Sequence, residues 1–244
     1  MVLSPASEAW VTGVVRKEAS SFRPAGVSFP AMCVGRDPGI FTQIAAFINF
    51  EANITLLSTR TAHSTEAALY YLTFTCTQWL PLFETCPAYD LVYKWFDYLK
   101  EKYRIKTTAY TIMPNHVHCI LFFPDEDYDL SKIVSNGKRF MAYDIVNRLQ
   151  QKGLGNILLQ LKEGLTQRDI GKGQKHKVFE DSFDAKPVYH RKFLLQKVNY
   201  IHLNCIRGKW KLAEHWEDYE HSSARFYIKN KLNGFVPVHY EELS

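Results

Sequence analysis

The run Asn115–Phe123, NHVHCILFF, constrains this chain more than any other stretch. It is apolar apart from its first residues, follows the turn signal Met113-Pro114-Asn115, and precedes the acidic segment Pro124–Asp129. Such a run reads as a β-strand entered through a tight turn, because Pro cannot continue a hydrogen-bonded ladder and Asn tolerates turn geometry. Side chains alternate along a strand, so His116 and His118 project from one face while Val117 and Cys119 go to the other. Two imidazoles side by side on a rigid strand are half of a divalent-metal or catalytic site. The alternative is a structural pair, which needs two sets of hydrogen-bond partners.

The neighbouring segments supply a fold around that strand. Tyr70–Trp79 is rich in aromatic and β-branched residues and reads as a strand. Tyr89–Tyr103 places Leu91, Val92, Trp95, Phe96 and Leu99 at helical spacing, so an amphipathic helix follows. Lys106–Met113 alternates as a second strand, and Asn115–Phe123 is the third. A helix is expected from Leu130 to about Leu149, capped by Asp129 or Ser131. Gln151–Lys177 is rich in Gly, Lys and Gln and reads as a mobile basic loop around a short apolar piece, Ile157–Leu161. A last helix runs from Lys192 to Ile206 and stops near Gly208. The order strand–helix–strand–strand–helix–helix predicts an α+β sandwich: an antiparallel sheet carrying the HxH motif, with helices on one face.

Residues 1–66 lack a sustained period and read as a poorly specified extension, or as translated sequence upstream of the true start. The domain proper spans 67–232, and 233–244 reads as a C-terminal tail. Five scattered cysteines (Cys33, Cys76, Cys86, Cys119, Cys205) with no CxxC spacing argue for a reducing compartment and against a zinc knuckle or disulfide framework. No run approaches the roughly 18–20 apolar residues of a membrane helix, and MVLSPASEAW lacks the basic and apolar regions of a secretory signal. A cytoplasmic chain with no membrane partner is expected. The net charge of +5 permits a polyanionic partner without requiring one.

The last helix carries the second half of the candidate site. Leu194, Val198, Ile201 and Cys205 mark its buried stripe. Lys197, Tyr200, Asn204 and Arg207 form a second stripe about 100° away. Tyr200 and Asn204 are thus neighbours on one surface, flanked by two cations. Facing the histidine strand, these groups would make a phosphodiester site in which cations hold the phosphate and the phenolate attacks phosphorus. Each residue alone has a plainer role: Tyr200 as a packing residue, Asn204 as a helix-end polar group, Lys138 and Arg139 as a solvated face. His202 competes with Asn204 as a third ligand, but lies about 200° from Tyr200 around the helix.

NHVHCILFF after a strand ending in Met-Pro, followed by a helix containing KVNYIHLN (Lys197–Asn204), resembles the HUH single-tyrosine transposases, in the branch of REP-associated tyrosine transposases within the IS200-like family. KVFEDSFDAKPVY (Lys177–Tyr189) and SSARFY (Ser222–Tyr227) extend the resemblance over about Leu69–Ile228. It implies a ferredoxin-like sandwich with the histidines on a central strand. It further implies that His116, His118 and Asn204 hold Mg²⁺ or Mn²⁺, and that Tyr200 is the nucleophile. The reaction implied is cleavage and rejoining of single-stranded DNA near hairpins (REP-like palindromes) through a 5′-phosphotyrosine, by a monomer or homodimer. Lys138, Arg139, Lys197 and Arg207 are the candidate DNA-binding cations. Cys205 departs from the family pattern, which has Pro there; without Pro the helix can run slightly further. Two other functions fit the same residues: a metal-dependent phosphoester hydrolase using water, and a non-catalytic hairpin DNA-binding protein.

Overall fold

The computed structural model describes residues 69–125, 128–231 and 234–243. The expectations for residues 1–66 lie outside this range. Four strands form one sheet: β1 (Leu69–Thr75), β2 (Lys106–Met113), β3 (His116–Phe122) and β4 (Asp184–Pro187). Their spatial order is β2-β3-β1-β4, with every neighbouring pair antiparallel. The helices are α1 (Leu82–Thr85), α2 (Tyr89–Tyr103), α3 (Leu130–Gln151), α4 (Gly155–Glu163), α5 (Gln167–Gly171), α6 (Arg191–Leu203) and α7 (Ala224–Lys229). With α2 between β1 and β2, and α3 between β3 and β4, this is the βαββαβ ferredoxin-like arrangement.

Alternation along the strands divides the molecule into layers. Tyr70, Leu72 and Phe74 of β1 and Val117, Cys119 and Leu121 of β3 bury against Leu91, Val92, Trp95, Phe96 and Leu99 of α2 and Ile133, Val134, Met141 and Ile145 of α3. Tyr71, Ala109 and Ile120 point the other way and pack against Leu194, Val198 and Ile201 of α6. Helices therefore cover both faces: α2 and α3 on one, as the sandwich requires, and α6 on the face that carries the histidines. The strand most central in chemistry, β3, is paired on both edges and buried on both sides.

Four local differences from the sequence reading have physical causes. The first strand stops at Thr75, and Thr77–Trp79 turn as a 3-10 segment in which Gln78 and Trp79 take positive φ of 51° and 57°. The stretch 151–177 is not a loop but two short helices. Leu154, Ile157, Leu158 and Leu161 pack against the main core, and Thr166 with Asp169 form a reciprocal capping box on α5. The glycines at 153 and 155 interrupted that helical pattern in the sequence. β4 lay unseen inside KVFEDSFDAKPVY; it pairs through four residues only and carries little periodic signal. Finally, residues expected as a tail join the domain. Phe235 is buried beside Phe96 and Tyr110, and the Val238 N–H donates to the Thr107 carbonyl at 2.9 Å. Asp129 caps α3 as expected, accepting from the Lys132 N–H at 2.8 Å.

Candidate active site

His116 and His118 both project from β3 toward α6, with ring centroids 4.7 Å apart. One hydrogen bond and one buried side chain position α6 over them. The Thr111 hydroxyl of β2 donates to the Ile201 carbonyl at 2.8 Å, and Ile201 itself is fully buried in the helix–sheet core. That fixes the turn of α6 on either side of Ile201, and with it Tyr200 and Asn204. The Tyr200 ring lies 5.3 Å from the His118 ring, nearly perpendicular to it. The Asn204 amide nitrogen lies 3.2 Å from His118 Nε2, and the same side chain is also a hydrogen-bond partner of His116. His116, His118, Tyr200 and Asn204 are brought together in one chain.

The outer partners set the histidine tautomers. His116 Nδ1 lies 2.7 Å from Asn115 Oδ1, an atom that can only accept, so Nδ1 carries the proton and Nε2 the lone pair. His118 Nδ1 lies 2.7 Å from the Thr73 hydroxyl and 2.9 Å from the Tyr71 hydroxyl. The Asn204 amide donates to its Nε2, which leaves the proton on Nδ1 there too. Both lone pairs are therefore directed away from Asn115, Thr73 and Tyr71, as in histidines held for a metal by second partners. Burial pushes the His116 pKa down to about 4, opposed by its bond to Asn204. Burial, then the charges of His116 and Lys197, hold His118 well below the usual imidazole value. At neutral pH both are in the form that binds a cation. Among the described residues no three His, Cys, Asp or Glu side chains converge; the carboxamide beside both imidazoles is that of Asn204. Two imidazoles and one neutral oxygen fit a divalent ion that keeps open positions for substrate oxygens.

The candidate cations divide. Lys197 belongs to the site: its ammonium lies 4.7 Å from the Tyr71 ring centroid, 5.3 Å from that of Tyr200 and 5.4 Å from that of Phe193. Lys138 does not. It is buried on the far side of the sheet, and its three ammonium protons face the carbonyls of Glu180, Asp181 and Ser182 at 2.5, 3.1 and 3.3 Å. Burial lowers its pKa to about 8, so it keeps its charge at neutral pH as a tether for the segment before β4 rather than as a solvated surface charge. Arg139 is exposed on α3, over the Phe140 ring, in the layer opposite the histidines. Arg207 leaves the helical stripe. α6 ends at Leu203, Asn204–Ile206 continue as a 3-10 turn, and Arg207 is extended and exposed. With Cys205 in place of Pro, the chain does continue helically, but in the tighter form. His202 turns away from the site, as its helical angle required: its Nε2 lies 2.8 Å from the Ser223 hydroxyl.

Sequence reasoning missed Tyr71, Thr73 and Asn115. Asn115 was legible as the immediate neighbour of His116. Thr73 meets His118 only through strand register, where the two are directly paired.

In a ferredoxin-like sandwich, a histidine pair on β3 thus faces a helix-borne tyrosine and asparagine. Residues 67–157 match the family described as "Transposase IS200 like"; the matched segment contains both histidines and ends before Tyr200. The fold is similar to that of a chain described as "Structure of the REP associates tyrosine transposase bound to a REP hairpin". That likeness has a TM-score of 0.50 at 14% identity and covers 75% of this chain and 93% of the other. No curated protein matches the sequence.

Proposed function

We propose that this protein is a single-strand DNA transposase that cuts and rejoins DNA beside a hairpin, with Tyr200 as nucleophile. The observation that carries the reading is the meeting of Tyr200 and Asn204 with His116 and His118 in one chain, although these pairs come from sequence segments far apart. Hairpin DNA as the substrate is supported by the relative of like fold, whose structure is described as bound to a REP hairpin.

His116, His118 and Asn204 would hold Mg²⁺ or Mn²⁺, which when bound withdraws charge from the scissile phosphate. The remaining work falls to the chain itself. An ordinary phenol, with a pKa of about 10, is protonated at neutral pH, and a cation beside it favours the phenolate. Lys197 supplies that cation next to the Tyr200 ring. The phenolic oxygen forms a bond to phosphorus, the bond from phosphorus to the 3′ oxygen breaks, and the released oxygen takes up a proton. The phosphoester is conserved as a 5′-phosphotyrosine, so attack by another 3′-hydroxyl reverses the step without an external energy source.

The test is a denaturing gel of protein incubated with a labelled hairpin oligonucleotide and divalent metal. The wild-type chain should give a covalent protein–DNA band, and Tyr200→Phe should lose it while hairpin binding changes less than about twofold, because binding comes from phosphate contacts and base stacking. Cleavage by the Phe variant to a free 5′-phosphate would assign the site to a water-using hydrolase, and binding without any cleavage to a hairpin-binding protein.

A further inference from the structure

Trp79 is the most conspicuous side chain beside the site that the reaction above does not use. Its side chain is 59% exposed, yet it stands next to a candidate metal ligand, its ring edge-to-face with His116 at 5.7 Å. It is also held in place by an unusual backbone. Gln78 and Trp79 are consecutive residues in the left-handed region, which bulky side chains rarely adopt. Four bonds hold the turn there. The Gln78 N–H donates to Glu180 Oε1 at 2.9 Å, the Trp79 N–H to the Cys76 carbonyl at 3.2 Å, the Leu80 N–H to the Thr77 carbonyl at 3.0 Å, and Asn115 Nδ2 to the Trp79 carbonyl at 3.1 Å. Asn115 is the residue whose other amide atom orients His116, so one side chain fixes both the indole's backbone and the imidazole.

A rotamer-limited aromatic ring kept in solvent by a constrained turn gains nothing for the core. Strain of this kind collects where a side chain has to meet a ligand. We propose that Trp79 is a base-stacking residue of this site: its indole receives an unpaired base of the single strand next to the scissile phosphate. The inference rests on reading the site as one for single-stranded DNA. An aromatic face accepts any base, so Trp79 would contribute affinity and direct the strand's path without selecting sequence.

The test compares binding of oligothymidine with binding of an abasic deoxyribose-phosphate chain of the same length. Wild-type protein should prefer oligothymidine. Trp79→Ala should weaken oligothymidine binding about tenfold and leave the abasic chain unaffected, since only the base contact is lost. Trp79→Phe should retain most of the preference. Trp79→Leu, which keeps apolar bulk but has no aromatic face, should behave like the Ala variant and serves if that variant misfolds. Equal weakening on both chains, or none on either, overturns the proposal. The covalent band formed by the wild-type protein is scored separately. Its absence with the base preference intact would sink the Tyr200 chemistry alone; its presence with the preference indifferent to Trp79 would sink the stacking role alone.

Discussion

His118 shows how much of a candidate site is set by the hydrogen bonds behind it. Its Nδ1 is engaged by Thr73 and Tyr71 of β1, and its Nε2 is thereby left to face Asn204 and any cation. Replacing His116 or His118 by Ala should abolish the covalent adduct. Asn204→Ala should leave it but raise the Mg²⁺ or Mn²⁺ concentration required by about ten- to a hundredfold, because a neutral oxygen contributes less than an imidazole that also fixes geometry. A metal titration of adduct yield checks both, and undiminished cleavage in chelator would make the histidine pair structural. His202, about half a turn from Asn204 on the same stretch of chain, predicts a different pH response. Burial pushes its native pKa down to about 3, against about 6.5 in the unfolded chain. The unfolded state therefore takes up a proton that the native state refuses. Stability is complete above about pH 6.5 and falls progressively toward pH 3, by about 2 kcal/mol at pH 5 from this residue. Urea unfolding at pH 7 and pH 5 should show the loss, and His202→Gln, which does not titrate, should reduce it by about 2 kcal/mol and leave the share that the buried His116 and His118 contribute.

Among the elements, the contact between α2 and α3 is the one most sensitive to a single atom. Gly137 of α3 lies under the Trp95 ring of α2, and a Cβ there would sit 2.3 Å from Nε1 and 2.7 Å from Cε2. The obstruction is an indole body packed edge-to-face against Phe74, not the tip of a flexible chain. Ala at this position gains about 1 kcal/mol of helix propensity. Overpacking costs about 1–3 kcal/mol, and a contact of 2.3 Å belongs at the upper end, so Gly137→Ala should be a net loss of about 1–2 kcal/mol. A urea midpoint equal to or above that of the parent would show that the two helices separate without strain. The same helix pair is joined at its rim by Arg148 and Asp90, whose two oxygens accept from the guanidinium at 2.6 and 2.7 Å. That pairing holds the Asp90 carboxyl down to about 2 and makes Arg148 a structural link rather than a solvated charge.

At the scale of the molecule, the sheet separates a stability layer from a chemical layer. The α2–α3 face holds most of the large buried side chains; the α6 face holds the polar cluster of His116, His118, Tyr71, Thr73 and Asn204. In the proposed reaction Tyr200, on a helix beside the sheet-borne histidine pair, would approach the scissile phosphate from one side, and a flexible single strand could bend into that space where a paired second strand would collide. Cleavage should therefore proceed on a hairpin with single-stranded flanks and fail on the same sequence annealed to its complement. A net charge of +5 agrees with this, being modest for binding that depends on duplex phosphates alone. A labelled-oligonucleotide assay with both forms decides it: equal cleavage would contradict the single-strand mechanism.

The sequence by itself determined what short-range periodicity encodes. The alternation of NHVHCILFF placed both histidines on one face, the spacing of Leu194, Val198 and Ile201 oriented α6, and the cap at Asp129 started α3. It also put Tyr200 and Asn204 on a shared surface, since one helical turn separates them. Tertiary structure decided what depends on pairing between distant segments. Thr73 and His118 are 45 residues apart, and only the β1–β3 register makes them partners. Lys138 read as a surface charge until three carbonyls from another segment enclosed it. β4 was too short to announce itself, and Gln78 and Trp79 entered the left-handed region because bonds to Glu180 and Asn115 hold them there. Hydrophobic period is a property of neighbours in the chain; hydrogen-bond satisfaction in a core belongs to neighbours in space, which no local pattern specifies.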